Sequence, residues 1–269
     1  MLVNGVNLNV RTAGSGPPVV ALHGFAGDMS TWTQFVGEAK KRYTVVTIDL
    51  LGHGGSDAPT AVERYRMERA VDDIAAAIRE LGFSRACLLG YSMGGRVALA
   101  AAASHPSAYR SLIIEGASPG LQSPAARARR QRKDEALANL ILNEGIEAFT
   151  NFWAEQPLFN SQRSLPTHIQ DRIRKQRLKS NPIGLANTLR AIGLGAQPSI
   201  HELLPSLNMP VLCITGVYDR KFTTIARRMC NKLRNGRLEI IPGAGHAAHL
   251  EKPRDFNSVV LAFLDECLD

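Results

Sequence analysis

The sequence predicts an α/β fold with a mostly parallel central sheet, flanked by helices and interrupted by an inserted all-helical lid. Three observations carry this. Short runs rich in Val, Ile and Leu alternate with stretches of helical pattern, as βαβ units require. Those runs lack strict alternation, as strands covered on both faces should. Between Leu121 and Arg190 the alternation stops, leaving helical pattern with no credible strand.

In chain order, Leu2–Arg11 reads as an extra leading strand. The strands Pro18–His23 and Thr44–Leu50 follow, with a helix over Thr31–Lys41 between them. A helix over Met67–Leu81 leads to the strand Ala86–Tyr91, the alanine-rich helix Met93–Ser104 and the strand Ser111–Gly116. Beyond the helical segment come the strand Pro210–Thr215, a helix over Thr223–Leu233, the strand Arg237–Ile241 and a helix over Asp255–Cys267. This divides the chain into a core of residues 1–120 and 191–269 and a lid of residues 121–190. No internal repeat and no low-complexity linker interrupts it.

At 269 residues and 45% hydrophobic, the chain can build a continuous core, and no stretch approaches the roughly 18 apolar residues of a membrane span. The start has neither a basic nor a long apolar region, so it does not read as a signal peptide. The four cysteines (Cys87, Cys213, Cys230, Cys267) are scattered without metal-site spacing, which points to reduced thiols in the cytoplasm. No Walker A and no dinucleotide fingerprint in a strand–helix setting occurs, so neither cofactor nor metal is expected. The net charge of +8 calls for an acidic partner. Most of it sits between Leu121 and Arg190, where twelve Lys/Arg stand against six Asp/Glu. A localised excess fits a small acidic ligand. No helix-turn-helix, RNP-like aromatic run or zinc knuckle supports nucleic acid, and no membrane partner is expected. A monomer or weak homo-oligomer is the expected state.

The sharpest feature is Gly90-Tyr91-Ser92-Met93-Gly94-Gly95. It satisfies G-x-S-x-G after an apolar run and before a helix, the strand–turn–helix context of a nucleophile elbow, and therefore predicts the α/β-hydrolase fold. Partners follow in the order Ser…Asp…His: Asp219 after the strand Val211–Thr215, and His246 after Arg237–Ile241. Both fall at the carboxyl ends of strands, where open α/β sheets place their sites. A hydroxyl needs a base to become reactive, and the imidazole needs a carboxylate to fix its tautomer. His249 and Asp255 are weaker candidates, better read as local structure. His23-Gly24-Phe25 supplies the oxyanion loop, with the backbone N–H groups of Phe25 and Met93 converging on a developing negative oxygen. Asp49 and His53, in Asp49-Leu50-Leu51-Gly52-His53-Gly54, read as structural rather than catalytic.

Several stretches together resemble a particular family. They are Gly90–Arg96, Gly116-Ala117-Ser118-Pro119-Gly120-Leu121, Trp153 with Pro157-Leu158-Phe159, and Gly245-His246-Ala247-Ala248-His249. They look like the 2-succinyl-6-hydroxy-2,4-cyclohexadiene-1-carboxylate synthases of menaquinone (vitamin K2) biosynthesis, over nearly the whole chain. The resemblance implies a carbon–oxygen lyase that eliminates pyruvate from a cyclohexene bearing three carboxylates. It implies Ser92 as the base, His246 as its activator and Asp219 as the orienter, with no cofactor. In the lid it matches Arg130 and Arg177 to carboxylate-binding positions, with Arg129 and Arg174 as close competitors.

The residues support this on their own terms. Arg96 lies one helical turn after Ser92, on the same face. Planar guanidiniums suit carboxylates better than lysine does. Tyr91 is a pocket residue beside the nucleophile, and Trp153 and Phe159 wall the pocket or fill the lid core. Two other readings remain: an ester, thioester or C–C bond hydrolase of the same fold, which leaves Arg96 and the basic lid unexplained, and a non-catalytic receptor, which leaves the triad unexplained.

Overall fold

A computed structural model gives the architecture and describes residues 1–268. The elements are β1 (Leu2–Val3), β2 (Val6–Asn7), β3 (Val10–Ala13), β4 (Pro18–Leu22), α1 (Thr33–Ala39), β5 (Thr44–Ile48), α2 (Met67–Glu80), β6 (Ala86–Tyr91), α3 (Met93–Ser104) and β7 (Tyr109–Glu115). They continue with α4 (Pro124–Ala154), α5 (Thr167–Leu178), α6 (Pro182–Ile192), β8 (Val211–Gly216), α7 (Arg220–Cys230), β9 (Gly236–Ile241), α8 (Ala248–Glu251) and α9 (Pro253–Leu268). Seven strands form one sheet in the order β3-β5-β4-β6-β7-β8-β9. Only the edge strand β3 runs antiparallel to its neighbour.

The sheet is covered on both faces, which is why its strands are apolar without alternation. In β4, Val20 and Leu22 pack with Val71 and Ile74 of α2 and Val97 of α3. Their neighbours Val19 and Ala21 point the other way, towards Trp32, Phe35 of α1, and Phe256 and Val260 of α9. Helix α2 shows the matching helical period: Met67, Val71, Ile74 and Ile78 are all buried.

The expected leading strand is instead two pieces. Asn4 and Gly5 adopt positive φ (46° and 80°), so the chain turns back and β1 pairs with β2 as a short hairpin. Only Val10–Ala13 joins the main sheet. Three helix starts also move, each for a local reason. The Asp28 side chain accepts from the Ser30 amide and begins a 3-10 turn over Met29–Trp32, so α1 starts at Thr33. The Asp219 side chain accepts from the Phe222 amide, so α7 starts at Arg220 rather than Thr223. Helix α9 opens on Pro253, two residues before the expected Asp255.

Between β7 and β8 the chain forms α4, a 3-10 segment over Pro157–Ser164, α5 and α6. Helix α4 is broken at Gly145 (φ 87°, ψ 175°). Ala138, Ile141 and Phe149 of α4 pack against Leu185, Ala186 and Leu189 of α6, and this small cluster rests on Ala26 in the loop after β4. That contact fixes the helical segment over the carboxyl end of the sheet. Among the described residues no helix is long and apolar enough to cross a membrane.

Candidate active site

Strand β6 delivers Ser92 into a sharp turn that leads straight into α3. Ser92 has φ 51° and ψ −106°. A non-glycine residue held there stores about 1–3 kcal/mol of strain. The turn brings α3 against the strands so closely that a Cβ on Gly94 would sit 2.2 Å from the Leu22 carbonyl oxygen, and one on Gly90 2.5 Å from that of Gly94. The Ser92 amide donates to the Glu115 carbonyl at 2.8 Å, tying the elbow to β7.

The loops after β8 and β9 bring up the partners. His246 Nε2 lies 3.1 Å from Ser92 Oγ, and His246 Nδ1 lies 2.6 Å from Asp219 Oδ2. A carboxylate can only accept, so Nδ1 carries the proton and Nε2 is left as acceptor for the serine hydroxyl. Asp219 and His246 are buried, at 7% and 2% exposure, so their interaction is little screened by solvent. The rings of Phe222 and Tyr91 lie 4.7 Å and 5.4 Å from the imidazole.

Ser92 opens into a chamber of about 140 Å³ whose lining includes Met93, Arg96, Arg130, Lys221 and Phe222. A second cavity of about 80 Å³ holds Arg177, Gln162 and His249. Phe25, Tyr91, Trp153 and Phe159 line both and form the partition between them. Trp153 is the hub of that partition, with ring contacts to Phe25 (5.5 Å), Phe149 (5.7 Å) and Phe159 (5.6 Å). Phe25 and Met93 both line the Ser92 chamber. Met93 is the first residue of α3, where amides lack an intrahelical partner and the helix dipole favours negative charge. The turn before Phe25 is held by the Gly27 amide on the Gly24 carbonyl (3.0 Å) and by His23 Nδ1–H on the same oxygen (2.8 Å).

The α/β hydrolase fold family matches residues 17–253. A Bacillus subtilis (strain 168) protein, provisionally named 2-succinyl-6-hydroxy-2,4-cyclohexadiene-1-carboxylate synthase, is 41% identical over 97% of this chain and 96% of its own length. The chain belongs to that synthase family. A Salmonella agona (strain SL483) protein with the same enzyme name is 35% identical over 88% of this chain and 89% of its own. The solved structure of MenH from S. aureus superposes with a TM-score of 0.93 at 35% identity, covering 97% of this chain and 99% of the other. Members of the synthase family are enzymes, and so is this protein.

Within this synthase family's fold, the arginines anticipated from sequence do not share one place. Arg96 lines the Ser92 chamber. Its Nη1 donates to the Ile192 carbonyl and to Gln197 Oε1, both at 2.6 Å, and no carboxylate is among its hydrogen-bond partners in the described residues. Burial, helped by Arg130, pushes its pKa down to about 10, which leaves it charged at neutral pH. Arg130 lines the same chamber and pairs through Nε with Asp134 at 2.7 Å. Arg177, matched from sequence to a carboxylate-binding position, lines the adjoining cavity rather than the Ser92 chamber. It is buried in the second cavity, with its guanidinium 5.1 Å from the Phe159 ring centre and its pKa lowered by burial. Spacing along a helix gives the direction of a side chain, not which side of an aromatic partition it meets. Arg129 is exposed, and Arg174 pairs with Glu147 at 2.8 Å on the surface. Trp153 and Phe159 wall the chamber and pack within the helical segment at once, so the two readings of them describe one arrangement.

Tyr91 lies on the partition, and burial holds its hydroxyl well above the usual phenol range, so it stays protonated. Asp49 accepts from the Met29 amide (2.6 Å), the Gly55 amide (2.8 Å) and Asn9 (2.7 Å), holding the loops behind the site. His53 is buried away from Ser92, its ring 5.1 Å from that of His23. Sequence reasoning missed Lys221 and Thr188 of the chamber, and the Thr188 hydroxyl is buried without a hydrogen-bond partner among the described residues. It also missed Glu115, whose one legible signal was a carboxylate closing the apolar run Leu112–Ile114.

Proposed function

We propose that the protein is a carbon–oxygen lyase of menaquinone biosynthesis. It eliminates pyruvate from 2-succinyl-5-enolpyruvyl-6-hydroxy-3-cyclohexene-1-carboxylate to give 2-succinyl-6-hydroxy-2,4-cyclohexadiene-1-carboxylate. The observation that carries this reading is that the Ser92–His246–Asp219 chain opens onto the same chamber as Arg96 and Arg130. A hydroxyl that can be deprotonated, facing fixed guanidiniums, suits proton abstraction from a tricarboxylate better than hydrolysis of a neutral ester. The relatives' enzyme names point the same way.

His246 Nε2 takes the Ser92 hydroxyl proton, and Asp219 stabilises the resulting imidazolium through its 2.6 Å contact to Nδ1. Ser92 Oγ then removes the proton α to the succinyl ketone. The amides of Phe25 and Met93 receive the negative charge that grows on the ketone oxygen. The electron pair moves through the ring double bond and expels the enolpyruvyl oxygen, and the enolpyruvate takes up a proton to become pyruvate. No water is consumed and no acyl-enzyme forms. Arg96 and Arg130 bind carboxylates, the aromatic partition excludes water, and the helical segment of residues 121–190 acts as the lid. The four cysteines, scattered without metal-site spacing, suit a reducing cytoplasm.

Ser92→Ala should cut pyruvate release by about 10²–10⁴-fold, the usual contribution of a positioned proton acceptor, with the circular dichroism spectrum unchanged. Near-normal release would remove Ser92 from the role of base. Activity on p-nitrophenyl esters far above the lyase rate would identify a hydrolase instead.

A further inference from the structure

We propose that Glu115 and His249 are positioning residues, a second carboxylate–imidazole pair that holds the His246 loop in register with Ser92. Glu115 ends β7, is fully buried, and stands opposite Tyr91 in the sheet. Its main-chain oxygen accepts from the Ser92 amide at 2.8 Å. Its carboxylate faces the other way along the site: Oε1 accepts from the His249 amide at 3.0 Å and Oε2 from His249 Nδ1 at 2.7 Å. One residue therefore grips the nucleophile's turn with its backbone and the histidine's loop with its side chain.

His249 follows His246 by three positions, so the distance between Glu115 and His249 constrains where the catalytic imidazole sits. The grip is reinforced from within the loop. Glu251 accepts from the Gly245 amide (2.7 Å) and the Ala247 amide (3.3 Å), so the amides of residues 245, 247 and 249 all end on two carboxylates. The His249 ring meets Tyr91 edge-on at 4.6 Å and lies 5.1 Å from Trp32, which leaves it little freedom to turn. Burying a carboxylate is unfavourable unless its hydrogen bonds are made, and Glu115 makes them only with this loop in place. The pair lies across Tyr91 from the Ser92 chamber, so it acts through His246 and Tyr91 rather than on substrate.

The inference rests on the proposed reaction only for its kinetic readout. His249→Asn keeps an N–H donor for Glu115, whereas His249→Leu keeps the bulk and removes the donor. His249→Leu should lower kcat by about 10–100-fold, the effect of an ångström-scale misplacement, while KM stays within about twofold and His249→Asn recovers most of the rate. Glu115→Gln, which retains shape and one acceptor, should fall in kcat as His249→Leu does and serves in its place if that variant does not fold. The low-field proton signal of His246 Nδ1–H reports the same geometry without substrate. It should persist in His249→Asn and move or broaden in His249→Leu and Glu115→Gln. An unchanged signal and kcat in both charge- and donor-removing variants, equal losses in His249→Asn and His249→Leu, or a change confined to KM would overturn the proposal. If the wild type released no pyruvate, the reaction would be wrong while the proton signal still judged the positioning.

Discussion

Arg96 carries a full charge in a place where most proteins would keep none, with two neutral oxygens as its partners. Only its Nη1 is hydrogen-bonded among the described residues, and a carboxylate arriving in the chamber can meet the remaining N–H groups and add the opposite charge they lack. A charge-assisted contact of this kind is worth about 1.5–3 kcal/mol. Arg96→Ala should therefore cut kcat/KM for pyruvate release by roughly 10–100-fold while changing turnover of a small neutral ester far less. Equal losses on the two substrates would mean that Arg96 serves only to hold Gln197 and the end of α6. At this scale the sequence was informative where one helical turn fixed the geometry, as between Ser92 and Arg96. It was silent where a tertiary contact decided, as for Arg177 behind Phe159 and for Glu115, whose partner lies 134 positions away.

Gly145 is the weak point of the longest helix. Its φ of 87° with ψ of 175° lies in a region that residues with a side chain scarcely enter, yet a Cβ there would meet no atom within 4 Å. The cost of Gly145→Ala is thus strain without a clash, about 1–3 kcal/mol. The half of α4 beyond the break carries Phe149 and Trp153, so a shift there moves the aromatic partition. The expected outcome is a melting temperature lowered by a few degrees and a KM raised more than kcat is lowered, read by calorimetry and steady-state kinetics. An unaltered KM would show that the break does not set the partition. Elements were legible where the helical period was strong, as in α2, or where an apolar run ran into turn residues, as in β6. The first ten residues were misread because Asn4-Gly5 carried a turn inside an apparently continuous run, and the starts of α1, α7 and α9 were set by a single cap or proline.

For the whole molecule, acid stability turns on two buried histidines. Burial holds His23 below its usual pKa, and burial together with His23 lowers His53 to about 3. His53 is therefore neutral in the folded protein at pH 6, and His23 resists protonation more than a free imidazole does, whereas the unfolded chain takes up their protons below about pH 6.5. Each therefore withdraws stability as the pH falls through 6.5, at up to about 1.4 kcal/mol per pH unit, and His53 does so until about pH 3. His53→Gln should flatten the decline of denaturation midpoint between pH 6 and pH 4. A slope identical to that of the wild type would show that other groups govern acid unfolding. The fold class itself was readable from alternation and the elbow, because those are local, while the partition between the cavities depends on how distant segments meet.

Ser92 and His246 stand 154 positions apart, and the second of them follows the last strand of the sheet. During synthesis the serine leaves the ribosome long before its activator exists. A nascent or truncated chain lacking β9 thus carries a hydroxyl of ordinary reactivity, and the chemistry begins only once the far edge of the sheet has been laid down.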